Sequence, residues 1–405
     1  MANTLTQHHR AAAPNSETPA TPKPAARMAL AVADAGWFNT ENQFREIPES
    51  RAETLLLHCA DYRNAWRDGE RPWSWNKPAY RMSPGVWKKR MVLPTGWMKK
   101  YPKVGMKPIA REIRRWKAEN AADLPLTLVM SYPYYLYLRD ELRVDRLVYY
   151  NFDDYSQYWP KVASEVAEME RRAAREADIT ICVSRLRAEL LREAVPEAAD
   201  RIKHLPHGAT RAWIPEEPLL VPAEPPADIA HIPSPRIGYV GTMEDRVDWT
   251  MLAKAAQENP QANFVLLGRI DPDNGAAWQA ERRRCLAMPN IHAIGWRNQS
   301  LINSYIRSFD LGMIPYQVEH PFNIACCPTK IMDYIAAGRP FVATDVPECR
   351  LHRERFDVVT RETFSSTISE RLAGGCDDGK VALRHQWALS HTCRDEMLKL
   401  LDWLA

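Results

Sequence analysis

Short, almost wholly apolar runs alternate with amphipathic stretches along most of the chain. In the first half Glu53–His58 (ETLLLH), Leu126–Met130, Arg146–Tyr150, Ile179–Val183 and Lys203–Leu205 read as buried strands. Between them, Ile109–Glu119, Val162–Ala177 and Arg185–Ala194 carry helical spacing, with Ser184 placed to cap the last. The stretch Pro215–Pro235 (PEEPLLVPAEPPADIAHIPSP) interrupts this pattern, because its prolines exclude a continuous helix or a central strand. The alternation then restarts. Strands are expected at Arg236–Val240, Asn263–Leu267, Ile291–Ile294, Leu311–Pro315 and Phe341–Thr344, and helices at Trp249–Glu258, Ala276–Leu286 and Gln299–Ser308. Strands alternating with helices predict doubly wound parallel sheets. The Pro- and Trp-rich stretch before Pro108 fits no regular element.

Two such arrays suit a chain of 405 residues, too long for one ordinary core. The expected organisation is a disordered Ala/Pro-rich tail (1–51), a first α/β domain (52–215), a Pro-rich linker (216–235), a second α/β domain (236–380) and an amphipathic terminal helix (381–405). The hydrophobic share of 45% and charged share of 26% are those of a soluble globular protein. No apolar run approaches the roughly 20 residues that span a bilayer, and the start lacks the order of a secretory signal. Eight cysteines without C-x-x-C spacing argue against a disulfide framework or zinc site and for a reducing cytoplasm. No spacing of ligands suggests a metal.

Charge changes the picture only locally. Residues 71–117 carry fourteen Lys and Arg against the single acid Glu112, with Trp73, Trp75, Trp87, Trp97, Tyr101 and Trp116 interleaved. The mixture suits peripheral contact with an anionic membrane face. It also suits a solvated face whose Trp residues are core. A nucleic-acid strand is the weaker reading, since no RNP, KH, zinc-finger or helix-turn-helix pattern accompanies it.

The segment Leu311–Thr344 is the most informative. Its strand leads through a loop to a helix with Pro328 near its first position and Gly338 past its end, and Phe341–Thr344 returns as a strand. In such a βαβ unit the loop lies at the carboxyl end of a parallel strand, where ligands of open α/β sheets bind. The helix N-terminus suits a diphosphate, Lys330 adds a positive charge, and Asp333 is placed to accept from a ribose or sugar hydroxyl. A purely structural βαβ with a solvated Asp333 is the plain alternative.

The stretch CPTKIMDYIAAGRPFVATDVPE resembles the donor-binding segment of the group 1 (family four) retaining glycosyltransferases, which have the GT-B fold of two facing Rossmann-like domains. IGYVGTMEDRVDWTML, NFVLLGR and NIHAIGWRNQSLINSYIRSFDLGMIPY are similar to further donor-domain segments, and VYYNFDDYSQYW, EMERRAAREADITICVS and HLPHGA to the later acceptor domain. The resemblance covers roughly residues 126–344. It implies that Gly241 and Thr242 form the turn at the diphosphate, that Arg246 and Lys330 supply cations, and that Asn323 and Thr329 join the donor site. Gly268, Arg269, Trp296 and Arg297 would line the nucleoside pocket, Asp333 would bind ribose, and Tyr132 and Tyr134 would face the transferred sugar. Asp153 and Asp154 end a strand in the cleft half, with acceptor contact and helix capping both open. His207 reads as a turn residue rather than a base, and Cys326-Cys327 as small loop residues.

The chain departs from the family at four places. Ala325 stands eight before Asp333, where the pattern has its first acid, and Thr242 stands where the family has a diphosphate Arg. Ser131-Tyr132-Pro133-Tyr134 replaces a sugar-side His, and the Gly-rich acceptor loop after the first strand is not recognisable. No catalytic nucleophile is assigned. The resemblance implies transfer of a hexose from a UDP- or GDP-sugar, with retention and without metal or cofactor, to a saccharide; the basic block adds a polyprenyl-diphosphate-linked acceptor in polysaccharide synthesis at the inner membrane face. The family also implies that the terminal helix crosses back to the first domain. A GT-B-shaped sugar-nucleotide epimerase and a catalytically degenerate membrane scaffold are the alternatives.

Overall fold

A computed structural model describes residues 27–36, 38–67 and 69–405. Most of the expected tail, residues 1–26, lies outside them. The first sheet contains β1 (Met28–Ala33), β2 (Ala52–Asp61), β3 (Tyr80–Ser83), β4 (Val86–Leu93), β5 (Leu126–Met130), β6 (Arg146–Asn151), β7 (Ile179–Cys182) and β8 (Ile202–His204). Its order is β3-β4-β2-β1-β5-β6-β7-β8, parallel except where β3 pairs with β4. The second sheet contains β9 (Arg236–Val240), β10 (Asn263–Leu267), β11 (Ile291–Gly295), β12 (Leu311–Ile314), β13 (Phe341–Thr344) and β14 (Asp357–Val359), in the order β11-β10-β9-β12-β13-β14. The fold is GT-B: two Rossmann-like domains of parallel strands with helices on the faces.

One boundary needs correction. The chain from Met28 onward is not tail: β1 runs between β2 and β5 in the middle of the sheet, and all six of its residues are buried. With Ala29, Ala31 and Ala33 toward one layer and Leu30 and Val32 toward the other, it lets helices approach closely on one side. The turn after it, Asp34–Gly36, is therefore the loop after the first strand. A Cβ on Gly36 would lie 2.3 Å from the His58 ring, so this turn is pressed against β2.

The helix expected at Ile109–Glu119 starts earlier, at Pro102, and runs to Asn120 with Pro108 inside it. Pro108 faces solvent, so water can satisfy the carbonyl that its missing N–H leaves free. The basic block divides accordingly. Trp97 and Trp116 are core, Lys89 is buried and donates to the Asn76 and Lys77 carbonyls, and Lys88 and Arg90 pair with Glu41 and Glu70. Lys100, Lys103, Lys107, Arg111 and Arg114 stay exposed beside Tyr101 and Val104.

The segment 216–235 has no helix or strand, yet Ile229 and Ile232 are buried in the second domain's core. The end of the chain is two helices, Val381–Ser390 on the second domain and Cys393–Leu404 on the first. The break is a parallel bridge between Ala209 and Thr392, and Thr392 and Asp395 form a capping box that starts the last helix. Met397, Leu400, Leu401 and Leu404 enter the first domain's core, each burial worth on the order of 1.5–3 kcal/mol. A Cβ on Gly208 would meet the Cys393 nitrogen at 2.4 Å, so only glycine admits this close crossing.

Candidate active site in the interdomain cleft

Between the domains lies a cleft of about 730 Å³. Its first-domain wall includes Asp34, Asp61, Lys99, Tyr132, Asp153 and Trp159, and its second-domain wall includes Arg246, Tyr316, Cys326, Thr329 and Lys330. The second-domain wall is built by the βαβ unit read in the sequence. β12 leads through Pro321–Ala325, a short helix, to the helix Thr329–Ala337, whose N-cap is Pro328 and whose C-cap Gly338 is left-handed (φ +74°). The Ile331 amide donates to the Pro328 carbonyl at 3.0 Å, while the Thr329 and Lys330 amides have no backbone acceptor and belong to residues that line the cleft at the positive end of the dipole.

Lys330 donates to the Tyr316 hydroxyl at 2.6 Å and lies 5.4 Å from the centre of the Tyr239 ring. The turn after β9 passes beneath it. At Gly241 (φ +154°) a Cβ would lie 2.5 Å from Lys330 Cε, and at Gly268 (φ +149°) it would lie 1.9 Å from the Gly241 carbonyl oxygen. Gly241, Gly268 and Lys330 are thus packed as one unit in which backbone replaces side chain. Thr242 accepts from the Tyr239 hydroxyl through its carbonyl at 3.0 Å.

Arg246 is held on several sides. Its Nε donates to Asn323 Oδ1 at 2.9 Å, its Nη2 lies 3.1 Å from Cys326 Sγ, and its guanidinium sits 5.1 Å over the Tyr316 ring. Burial works against the charge, but Tyr316, Cys326 and Glu244 outweigh it and raise the pKa. Asn323 needs reassignment. It is fully buried, and its amide group also donates to the Arg246 and Gln317 carbonyls, so it positions Arg246 and has no atom left for a ligand. Ala325, in the place of the family's first acid, is buried in the short helix.

Gly268, Arg269, Trp296 and Arg297, expected at the nucleoside, do not line the 730 Å³ cleft. Trp296 is 58% exposed with the Arg269 guanidinium 6.0 Å from its ring centre. The Arg297 side chain is occupied by Asp228 at 2.6 Å and by Tyr305, which leaves only its backbone for a nucleoside. Asp333, one turn beyond Lys330, is half-buried; burial pushes its pKa up to about 7 against the pull of Lys330.

On the facing wall the two aspartates separate. Asp153 lines the cleft, accepts from the Tyr158 hydroxyl at 2.8 Å and from the Asp154 amide at 2.9 Å, and has a pKa raised by burial although Arg246 lowers it from across the cleft. Asp154 caps the helix Tyr155–Tyr158 through the Ser156 amide, so the capping alternative holds for it. Tyr132 lines the cleft, but Tyr134 is buried behind it, stacked at 5.6 Å. His207 lines the cleft as a neutral imidazole, its pKa lowered to about 4 by burial. Asp34 was missed with β1. It sits in the left-handed region (φ +66°), and burial raises its carboxyl to about 6 although the Cys59 and Gly36 amides hold it. The signal was the apolar run MALAVA ending in Asp-Ala-Gly.

A dipole-backed pair of cations over a glycine turn thus faces an aromatic wall across the two Rossmann-like domains. Residues 234–370 match the family Glycosyl transferases group 1. A Bacillus subtilis protein named for teichuronic acid biosynthesis, the glycosyltransferase TuaH, is 30% identical over 111 residues, which is 27% of this chain and 27% of that relative's length. Among solved structures, Anabaena Alr3699/HepE in complex with UDP and glucose aligns with a TM-score of 0.60 at 14% identity, over 92% of this chain and 99% of that one. A glycosyltransferase of Rickettsia africae aligns with a TM-score of 0.62 at 12% identity, over 93% and 97%. At these identities the structural likeness concerns the fold.

Proposed function

We propose that the protein is a retaining glycosyltransferase that moves a hexose from a UDP- or GDP-sugar to a saccharide. The observation that carries this reading is the packing of Lys330, Arg246 and the Gly241–Gly268 turn at a helix N-terminus on the cleft wall. In the reaction the bond between the sugar's C1 and the diphosphate oxygen breaks, and the acceptor hydroxyl attacks C1 from the same face. Its proton passes to the departing diphosphate. Negative charge grows on that leaving group, and two fixed cations with helix amides stabilise it, a role a metal would otherwise fill. Trp296 and Arg269 would hold the base, and Asp333 the ribose.

A role in polysaccharide synthesis is supported by the name of the Bacillus relative. A polyprenyl-diphosphate-linked acceptor is supported by the exposed surface that begins at the cleft. The lining residues Gly96–Lys100 run directly into the helix at Pro102, whose exposed Lys103, Lys107, Arg111 and Arg114 accompany Tyr101 (64% exposed) and Val104 (65%). Trp73, 80% exposed, adds an interfacial ring from the same domain. Each basic residue at an anionic surface contributes about 1 kcal/mol, so binding to anionic vesicles should weaken with salt. Among the described residues no helix is long and apolar enough to cross a membrane.

The deciding experiment is a thermal-shift screen of the full chain against UDP, GDP, ADP, TDP and CDP and their sugars. UDP or GDP should stabilise selectively, by about 2.7 kcal/mol at a hundred times Kd. No shift with any nucleotide, in a folded sample, would sink the transferase reading and leave a scaffold.

A further inference from the structure

We propose that the acceptor wall of this cleft is built for a saccharide bearing an anionic group, a phosphate or a carboxylate, received by Lys99 with Lys100 beside it. The inference rests on the transferase reading above and names the acceptor's chemistry.

Lys99 comes from the turn between β4 and the helix Pro102–Asn120 and lines the cleft half-buried. Its Nζ lies 3.2 Å from the centre of the Trp159 ring, and it forms no ion pair with a described carboxylate. Its neighbours differ: Lys88 and Arg90 on β4 pair with Glu41 and Glu70, Lys330 is bonded to Tyr316, and Arg246 to Asn323. Burial lowers the Lys99 pKa to about 8, with Glu165 opposing, so the group stays largely charged at neutral pH. A ring face compensates part of the lost hydration, and an arriving anion would supply the remainder.

A second observation describes the wall beside it, which is aromatic. The Tyr132 hydroxyl is buried without a partner, although its ring is fixed by Tyr134, Tyr155 (4.8 Å) and Trp159 (5.1 Å). Ring faces of this kind suit the apolar faces of a saccharide. None of the cleft's three carboxylates pairs with Lys99: Asp153 accepts from the Tyr158 hydroxyl, Asp61 from the Asn64 amide, and Asp34 is held by the Cys59 and Gly36 amides. The donor's own charge is met on the opposite wall.

The test uses the full chain saturated with whichever of UDP or GDP binds, titrated calorimetrically with glucose 6-phosphate, glucuronate and glucose. At least one anionic hexose should bind roughly tenfold tighter than glucose, and the preference should fall with salt. A preference for glucose 6-phosphate alone marks a phosphate, and for glucuronate alone a carboxylate. Lys99→Met, which keeps the stem on Trp159, should remove the preference without changing nucleotide affinity, and Lys99→Arg should retain it. Equal binding of all three sugars, no binding of either anionic sugar, or an unchanged preference in Lys99→Met overturns the proposal while leaving the transferase reading intact. Failure of every nucleotide to bind strikes that reading itself and takes this proposal with it.

Discussion

On the second-domain wall of the cleft, Arg246 and Lys330 are each fixed by protein atoms, whereas on the facing wall Lys99 rests on a ring and the Tyr132 hydroxyl has no partner. On the function proposed above, the difference follows from what each wall would meet. A diphosphate is small, charged and always the same, so it is best met by groups whose positions are set before it arrives. A saccharide presents ring faces, scattered hydroxyls and one variable substituent. Aromatic surfaces and a loosely tethered cation suit that better than a rigid cradle.

The contrast can be broken most severely at Gly268. Gly268→Ala would drive a Cβ to 1.9 Å from the Gly241 carbonyl in a backbone region that only glycine adopts easily. It should abolish nucleotide binding and destabilise the second domain by about 2–4 kcal/mol, read as a lowered melting transition. A variant that melts and binds like the natural protein would show that the glycine unit is not rigid. Lys330→Ala comes next. It removes one cation but no core atom, so stability should hold while affinity for the sugar nucleotide falls about 10–100-fold by calorimetry. Hexose binding to the facing wall should be untouched. Unchanged nucleotide affinity would refute the donor-site assignment, and an equal loss of hexose binding would mean that the two walls are not independent.

The chain from Leu126 to Thr344 was far more legible in the sequence than the part of the first domain before it, for a physical reason. Its strands are runs such as NFVLL and RIGYV between clear helices, and Arg236–Val240, Trp249–Glu258, Asn263–Leu267 and Phe341–Thr344 have the expected ends. In the first domain β1 is half alanine and follows an Ala/Pro-rich segment, so local composition concealed a strand that only pairing with β2 and β5 defines. Missing it hid Asp34 and the turn that presses on His58. Pro108 concealed the start of the helix Pro102–Asn120 in the same way, because whether a proline is tolerated depends on which face it occupies. Charge and motif singled out Arg246, Lys330 and Asp153, which the fold brings to the cleft, while packing alone reveals that Asn323 serves Arg246 and decides for Asp154 between acceptor contact and the cap. Tertiary neighbours decide such roles, and local spacing does not encode them.

The subtlest way to sharpen the comparison is to titrate Asp333, the carboxyl on the second domain without the Tyr158-like partner that Asp153 enjoys on the first. Burial raises Asp333 from 3.8 to about 7, with Lys330 opposing. Between those values the folded protein keeps a proton that the unfolded chain has released, so this group makes stability fall as pH rises from about 4 to about 7. Asp333→Asn should therefore melt higher than the natural protein at pH 8 and lose most of that advantage near pH 4. Ligand binding should run the other way. A ribose hydroxyl donates best to the ionised carboxylate, so affinity for a sugar nucleotide, whose diphosphate diester does not itself titrate there, should rise a few-fold as pH passes through about 7. The Asn variant should show a flat profile. If both proteins gave the same pH dependence of affinity, Asp333 would be a buried acid of the helix face with no part in holding the donor, and the donor wall would end at Lys330.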